Sequence, residues 1–290
     1  MRYLALTAAA LTLTTAGLAL GTVTPAQAEF EIQEAGVEKG AKELEYRGAV
    51  HWGISNQEGS NATEGDQADE GGGDEEEGPL RQSHDLEFEY GLTDRWLFSA
   101  TISADEPVDQ DFNLSSVELG LQYEFMKRRG DGIAMAIQTE YGFATRGGDP
   151  DEFGFGPIVE LASGKLLITL NPIFSTQVGE NRNQDGFGFD YGWRAEYDFA
   201  KHWGVGVEMF GQMEDLSHAG SFNDQNHSIG PTLFWKPVGG EDEAKNEGGE
   251  NDNRAAGSPN LELSFNVGVQ FGLTDATSDG ALKFQGTFSW

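Results

Sequence analysis

The sequence predicts an all-β protein, an antiparallel transmembrane β-barrel of about 12 strands. Three observations indicate this class. Apolar residues recur with a period of two along most of the chain, the faces between them carry acidic residues and glycines, and the chain begins with an export signal. The 290 residues include 40 Gly and no Cys, which excludes disulfide frameworks and thiolate metal sites.

The charge of the chain excludes one class of partner. Asp and Glu number 49 against 18 Lys and Arg, which gives a formal net charge of −31. This excess of negative charge repels phosphate backbones, so we expect no nucleic-acid binding. We also expect no cofactor and no resident metal.

Residues 1–28 have the pattern of a signal peptide. Arg2 gives a basic start, residues 3–20 are apolar or small, and Ala26-Gln27-Ala28 forms a cleavage pattern before Glu29. A retained transmembrane anchor is the alternative, but it requires a longer and more apolar span. We expect cleavage after Ala28, a periplasmic N-terminal segment over residues 29–42, and an outer-membrane β-barrel over residues 43–290.

Alternation of apolar and polar residues defines the predicted strands. In residues 44–54, Leu44, Tyr46 and Trp52 fall on one face, whereas Glu45 and Arg47 fall on the other. The same alternation predicts strands over residues 85–90, 96–103, 117–125, 133–143, 153–161, 166–176, 187–197, 203–210, 227–235, 261–271 and 281–290. Most of them have the length of about ten residues that a tilted strand needs to cross a bilayer.

The polar faces of these strands indicate a lumen. A soluble β-protein, the alternative, would pack its apolar faces together, whereas a closed barrel turns them toward lipid and encloses the polar faces. The candidate lumen-lining residues are Glu45, Arg47, Glu87, Glu89, Glu118, Glu140, Glu160, Arg194, Glu208 and Glu262. The same faces also carry Asp85, Glu124, Asp190, Glu196 and the single further base Lys283.

This balance of charge leaves two states of the lumen open. In a water-filled lumen most carboxylates stay ionised without a basic partner and attract cations. In a plugged lumen several of them must be protonated or hydrogen-bonded to one another. A wet interior that only keeps a small barrel folded is an equally good explanation of the acidic faces.

The connections between the predicted strands alternate in length. Short turns face the periplasm in outer-membrane barrels and long loops face the exterior, which puts the acidic insertion at residues 57–82 outside the cell. The acidic insertion at residues 236–260 should be periplasmic, unless the count is wrong by one strand. The first insertion suits either divalent-cation capture or a solvated charge run, and it lacks the spacing of a calcium loop.

The end of the chain indicates its location. The last strand alternates up to Trp290, which is similar to the C-terminal signal by which outer-membrane barrels are handed to their assembly machinery. Aromatic residues also concentrate at strand ends, where interfacial girdles lie. We therefore expect the protein in the cell outer membrane, with outer-membrane lipid, lipopolysaccharide and the barrel-assembly machinery as partners.

An outer-membrane hydrolase is the principal alternative of another class. The best candidate pair is His227 with Ser228, near one rim of the barrel. Adjacent residues on a strand point to opposite faces, so this pair needs help from a neighbouring strand to act as base and nucleophile. We predict that the protein is not an enzyme and has no catalytic residues.

Three segments carry a family resemblance. Residues 90–96 (YGLTDRW), 119–123 (LGLQY) and 272–276 (GLTDA) resemble the outer-membrane family named for the meta-pathway of phenol degradation, over roughly residues 44–290. The resemblance implies a transporter for passive uptake of small solutes, aromatic or apolar compounds among them. The acidic lumen adds a preference for cations or neutral compounds. The alternative is a plugged barrel with a surface-binding or structural role.

Overall fold

The computed structural model describes residues 30–54, 80–108, 110–182, 186–236 and 261–290. The predicted signal peptide lies outside these ranges. So do most of the two acidic insertions, at residues 57–79 and 237–260. No helix in the described ranges is long and apolar enough to span a membrane.

Antiparallel strands of 10 to 14 residues form one closed barrel. Each strand pairs with its neighbours in sequence, and the first pairs with the last, which closes the sheet. The strands are β1 (Lys42–Trp52), β2 (Leu80–Gly91), β3 (Trp96–Pro107), β4 (Asn113–Met126), β5 (Gly132–Ala144), β6 (Asp151–Ser163), β7 (Leu166–Val178), β8 (Gly188–Ala200), β9 (Trp203–Met213), β10 (Asn226–Trp235), β11 (Glu262–Gly272) and β12 (Gly280–Ser289). The predicted all-β barrel of 12 strands is confirmed.

The seam between β1 and β12 joins the two ends of the barrel sequence. Leu44 lies opposite Phe288 and Val50 lies opposite Leu282. At one end of the seam, Lys42 and Trp290 exchange both main-chain hydrogen bonds, at 3.2 and 2.9 Å. The final residue of the chain therefore takes part in closing the barrel, which leaves neither β1 nor β12 as an open edge.

The two faces of the sheet have opposite chemistry. Large apolar side chains of one parity point outward and stay exposed, such as Ile102, Ile137 and Val205. Side chains of the other parity are polar and buried, with Glu87 only 3% exposed and Thr169 fully covered. This arrangement inverts that of a soluble protein, and it suits a surface surrounded by hydrocarbon.

The two acidic insertions leave the barrel at opposite ends. Trp52, before the first insertion, pairs with Gly280 at the start of β12, whereas Trp235, before the second, pairs with Trp203. The end that contains Trp235 also contains Lys42 and Trp290, because β10 to β12 alternate in direction. Below, we call it the Lys42 end.

The connection from β9 to β10 contains two short 3₁₀ helices, Leu216–His218 and Phe222–Asp224. Asp215 caps the first of them. The His218 ring and the main-chain N–H of Ser217 hold the pKa of Asp215 below its usual value, because both hydrogen bonds stabilise the carboxylate. The connection is thus an ordered structure at the end of the barrel opposite Lys42.

Residues 30–41 lie inside the barrel. The sequence predicts a periplasmic N-terminal segment over residues 29–42, and in the structure residues 30–41 run along the inner wall. The turn uses Gly40, whose φ of 82° is left-handed and whose N–H donates to the carbonyl of Gly91 at 2.7 Å. A Cβ at Gly91 would overlap the carbonyl of Glu38, so this close approach requires glycine.

Candidate functional site

The lumen is the candidate functional site, and residues 30–41 run through it. We call these residues the luminal segment. From Lys42 the segment passes the inner wall near Val37 and Ala35, and it ends with Phe30 stacked on His51 at 5.8 Å between ring centroids. His51 is near the end of β1 opposite Lys42. The segment thus extends through most of the length of the barrel.

Wall carboxylates accept the main-chain N–H groups of the luminal segment. Ala35 donates to Glu160 Oε1 at 3.0 Å, and Val37 donates to Glu124 Oε2 at 3.1 Å. In the reverse direction, from side chain to main chain, Lys127 Nζ donates a hydrogen bond to the carbonyl of Val37 at 2.9 Å. An extended segment without a strand partner needs such acceptors and donors, because buried main-chain groups are costly when left unpaired.

Wall amides supply the remaining contacts with the main chain. Gln122 Nε2 donates to the carbonyl of Glu34 at 3.0 Å, and Asn171 Nδ2 donates to the carbonyl of Gln33 at 3.1 Å. These side chains come from β4 and β7, on different sides of the lumen. The wall therefore holds the main chain of residues 33–37 from several directions.

Two arginines of the inner wall pair with acids of the luminal segment. Arg47 lies 3.2 Å from Glu31, and Arg194 lies 2.8 Å from Glu34. Both guanidinium groups are buried, at 6% and 7% side-chain exposure, whereas the side chain of Glu34 is 64% exposed. The Arg47 contact therefore lies inside a closed cluster, while the Arg194 contact reaches the open part of the lumen.

A small apolar notch in the wall receives Ala35. Ala35 and Ile158 are fully buried, and together with Ala134 and Ala136 they form an apolar cluster on the inner face. Farther along, a Cβ at Gly192 would lie 2.9 Å from the carbonyl oxygen of Glu31. The wall thus carries small or apolar residues at the points where the segment comes closest.

The structure brings five of the candidate residues to the luminal segment. Arg47, Glu87 and Arg194 contact its side chains, and Glu160 contacts its main chain. Glu89 and Gln33 line the same small cavity.

The remaining candidates lie on the inner wall without a hydrogen bond or ion pair to the segment. Glu45 pairs with Arg47 at 2.6 Å, and Glu118 accepts a hydrogen bond from Ser116 at 2.9 Å. Glu140 lines the same cavity as Glu89. Glu262 lies at the Lys42 end, opposite Ser289.

Glu208 forms the most enclosed ion pair. Its carboxylate lies 2.5 Å from Lys283 Nζ and accepts a hydrogen bond from Thr232 at 2.6 Å. The side chains of Glu208 and Lys283 are only 1% and 4% exposed. Because the pair joins β9 to β12 across the lumen, it links two strands that are not neighbours in the sheet.

The acidic lumen contains more ion pairs than the three strand-borne bases alone provide. Besides the three strand-borne bases, Lys127 pairs with Glu124, Arg128 pairs with Glu160, and Lys236 pairs with Glu196. These three bases lie in or beside the connections, so strand alternation does not count them. In the described part of the chain, neither Glu118 nor Glu140 has a Lys or Arg within salt-bridge distance.

His227 and Ser228 do not form a nucleophile and base pair in this geometry. The two ring nitrogens of His227 contact the hydroxyl of Tyr191 at 3.0 Å and Gln225 Oε1 at 2.9 Å. The ring also stacks on Phe222, with 4.5 Å between centroids. Within the described ranges, no group of three His, Asp or Glu side chains has the arrangement of a metal site.

The comparisons with known proteins add a likeness of shape. No family model and no curated protein matches the chain. The chain is similar to the KdgM porin solved with disordered oligogalacturonate, with TM-score 0.46 and 8% identity over 86% of this chain and 98% of that one. It is also similar to the outer membrane protein Omp33 of Acinetobacter baumannii, with TM-score 0.42 and 7% identity over 87% and 99%. The likeness to the phenol-degradation family stays a hypothesis.

Proposed function

We propose that the protein is an outer-membrane channel for passive movement of small solutes, with a preference for cations or neutral compounds over anions. The observation that carries this proposal is a closed barrel whose inner face bears many carboxylates and few bases. Glu118 and Glu140 contribute to the preference, because neither has a salt-bridge partner among the described residues. Carboxylates of this kind raise the barrier for anions and concentrate cations.

The outer surface supports a place in the membrane. Exposed apolar residues cover it, and aromatic side chains cluster at the Lys42 end. Trp96 lies 4.7 Å from Tyr123 between ring centroids, and Trp235 lies 5.3 Å from Phe265. An aromatic belt of this kind suits the interface between hydrocarbon and headgroups. On this proposal the Lys42 end faces the periplasm.

The class of solute is proposed on two grounds. The polar wall favours small hydrated cations and neutral polar compounds. Aromatic or apolar compounds are suggested by the family resemblance, and the described inner wall offers them the notch around Ala134, Ala136 and Ile158 and the buried ring of Phe234. A comparison of ammonium, small sugars and phenol as permeants therefore shows whether the channel prefers polar solutes or aromatic ones.

A plugged barrel with a structural or surface-binding role is the second candidate. One observation favours it, namely that the luminal segment fills the space between opposite walls, from Asn171 on β7 to Glu87 on β2. Such a barrel would conduct no ions in any state.

Planar-bilayer recordings of the purified full-length mature protein test the proposal. In a gradient of potassium chloride, we expect the sign of the reversal potential to show that potassium permeates more easily than chloride. The preference should weaken as salt rises, because the Debye length falls below about 10 Å above 0.1 M. Anion preference would contradict the role of the carboxylates. Absence of any conductance, with the barrel shown to be folded by heat-modifiable migration on a gel, would favour the plugged barrel.

A further inference from the structure

We infer that residues 30–38 are a displaceable plug, bound in a site built into the inner wall, and that solutes cross only when the plug leaves this site. The inference rests on the proposed channel function. It assigns the wall groups around Glu160, Gln122 and Asn171 to plug binding. The plug itself is an extended segment of this chain with acidic side chains at Glu31 and Glu34.

The first step of the argument is that the site fits a main chain. Six hydrogen bonds join barrel side chains to the main chain of residues 33–37, at 2.9 to 3.2 Å. Amide and ammonium groups of the barrel donate to main-chain carbonyls, and barrel carboxylates accept from main-chain N–H groups. Each contact therefore joins a donor to an acceptor. A lumen that served only as a wet pore would need none of these contacts.

The second step is that the wall keeps its charges paired when the plug leaves. Arg47 retains Glu45 at 2.6 Å and Glu87 at 2.8 Å. Arg194 likewise retains Glu196 at 3.7 Å. Breaking a buried pair is costly mainly because it leaves an uncompensated charge, and displacement of the plug leaves neither arginine in that state.

The same holds for the two carboxylates that accept main-chain hydrogen bonds. Glu124 retains Lys127 at 3.4 Å, and Glu160 retains Arg128 at 3.8 Å. Both bases are partly exposed, at 39% and 33%, so water can replace the lost contacts. The charged groups of the binding site therefore keep their partners when the plug leaves, which is a property that a removable plug requires.

The third step is a pivot at the base of the plug. The described part of the segment joins the barrel only at Lys42. Gly36 and Gly40 divide it, and Gly40 holds a left-handed φ of 82° directly before β1. Glycine loses most conformational freedom on ordering and regains it on release. The segment can thus swing out at the Lys42 end while β1 stays paired with β2 and β12.

A reversible disulfide tests whether the plug must leave. Ala35 and Ala136 lie in one buried cluster, and the chain has no Cys, so Ala35→Cys with Ala136→Cys introduces the only two thiols. Oxidation should lower the bilayer conductance about tenfold or more, as expected when an equilibrium is locked in its closed state. Dithiothreitol should restore it. The two single variants, which cannot form an intramolecular bridge, are the controls and should not respond.

Equal conductance of the oxidised and reduced double variant, with the bridge confirmed by mass, would overturn the plug while leaving the channel intact. A second measurement does not depend on conductance. Val37→Cys conserves shape at a site that is 6% exposed, and its thiol should react slowly with a hydrophilic maleimide in the folded barrel. Adding Glu31→Gln and Glu34→Gln should raise this rate about tenfold. A rate that does not change would contradict displacement, and lack of conductance with a raised rate would refute only the channel.

Discussion

The main-chain N–H of Ala35 donates a hydrogen bond to Glu160 Oε1 at 3.0 Å, across 125 residues of sequence. The donor is fully buried and the acceptor is 4% exposed. A carboxylate that the sequence predicts to line the lumen therefore anchors a segment of main chain. Each wall acid has to be tested for the contact that it makes.

Replacing Glu160 should loosen the luminal segment. Glu160→Leu keeps the approximate size of the side chain and removes both oxygens, so the buried N–H of Ala35 loses its acceptor. A hydrogen bond to a charged group contributes about 1.5–3 kcal/mol, and amide exchange at Ala35 should accelerate about tenfold or more. Hydrogen exchange followed by mass spectrometry measures this exchange rate. Glu262→Leu, at the barrel end, is the control; equal protection in both variants would count against the assigned contact.

The pair of Glu208 and Lys283 should stabilise the barrel only as a pair. Glu208→Gln leaves a buried ammonium without its carboxylate, and we expect the free energy of unfolding to fall by about 3 kcal/mol. The double variant Glu208→Gln, Lys283→Met removes both charges and should regain most of the loss. Urea unfolding in lipid vesicles, followed by tryptophan fluorescence, measures the double-mutant cycle. Additive losses would show that the two groups do not interact.

A methyl group at Gly192 should disturb the luminal segment. The new Cβ would lie 2.9 Å from the carbonyl oxygen of Glu31, which is closer than real contacts allow. Gly192→Ala should therefore make the segment more accessible to protease in the intact barrel. Gly142→Ala is the matched control, because its Cβ would meet Glu118 Cγ at an ordinary 3.5 Å. The same cleavage rate for both variants would mean that the wall does not need glycine there.

The strands were predictable because one signal repeats. Between Leu44 and Trp52, a period of two separates a lipid-facing side from a polar side, and this period recurs in every strand. The prediction is short at β2, which begins at Leu80 and not near Asp85. Arg81, Gln82 and His84 put polar groups on the outer face close to the barrel rim, where alternation of hydrophobicity ends although pairing with β3 continues.

The luminal segment was not predictable from alternation. Residues 30–41 have no strand pattern, and their partners are scattered over β1 to β9. One signal was present in the sequence, because Ala134, Ala136 and Ile158 place an apolar group on a largely polar inner face. Such small or apolar residues need a packing partner inside a wet lumen, and Ala35 supplies it. Sequence alone does not identify that partner, because their contact spans about a hundred residues.

The two acidic insertions should be accessible from opposite sides of the membrane. Trp52 and Trp235, which precede them, lie at opposite ends of the barrel. Epitope tags at Gly72 and Gly248 should therefore differ on intact cells, with antibody binding only at Gly72. Permeabilised cells, in which both tags should bind, are the control. Surface binding at Gly248 alone would show that the Lys42 end faces outward.

Cation preference should depend on Glu118 and Glu140, which lie toward the middle of the lumen and have no salt-bridge partner among the described residues. Glu118→Gln with Glu140→Gln keeps side-chain size and removes two charges, and Glu118 keeps its hydrogen bond with Ser116. The reversal potential in a salt gradient should shift toward zero, because wall charge within a Debye length of about 10 Å sets the local ion ratio at 0.1 M. Glu87→Gln is a poor choice, since it would also release Arg47 from a carboxylate 2.8 Å away. Glu262→Gln, at the barrel end, is the matched control and should shift the potential less. If it shifts the potential as much as the double variant does, selectivity arises at the entrance and not at the middle of the lumen.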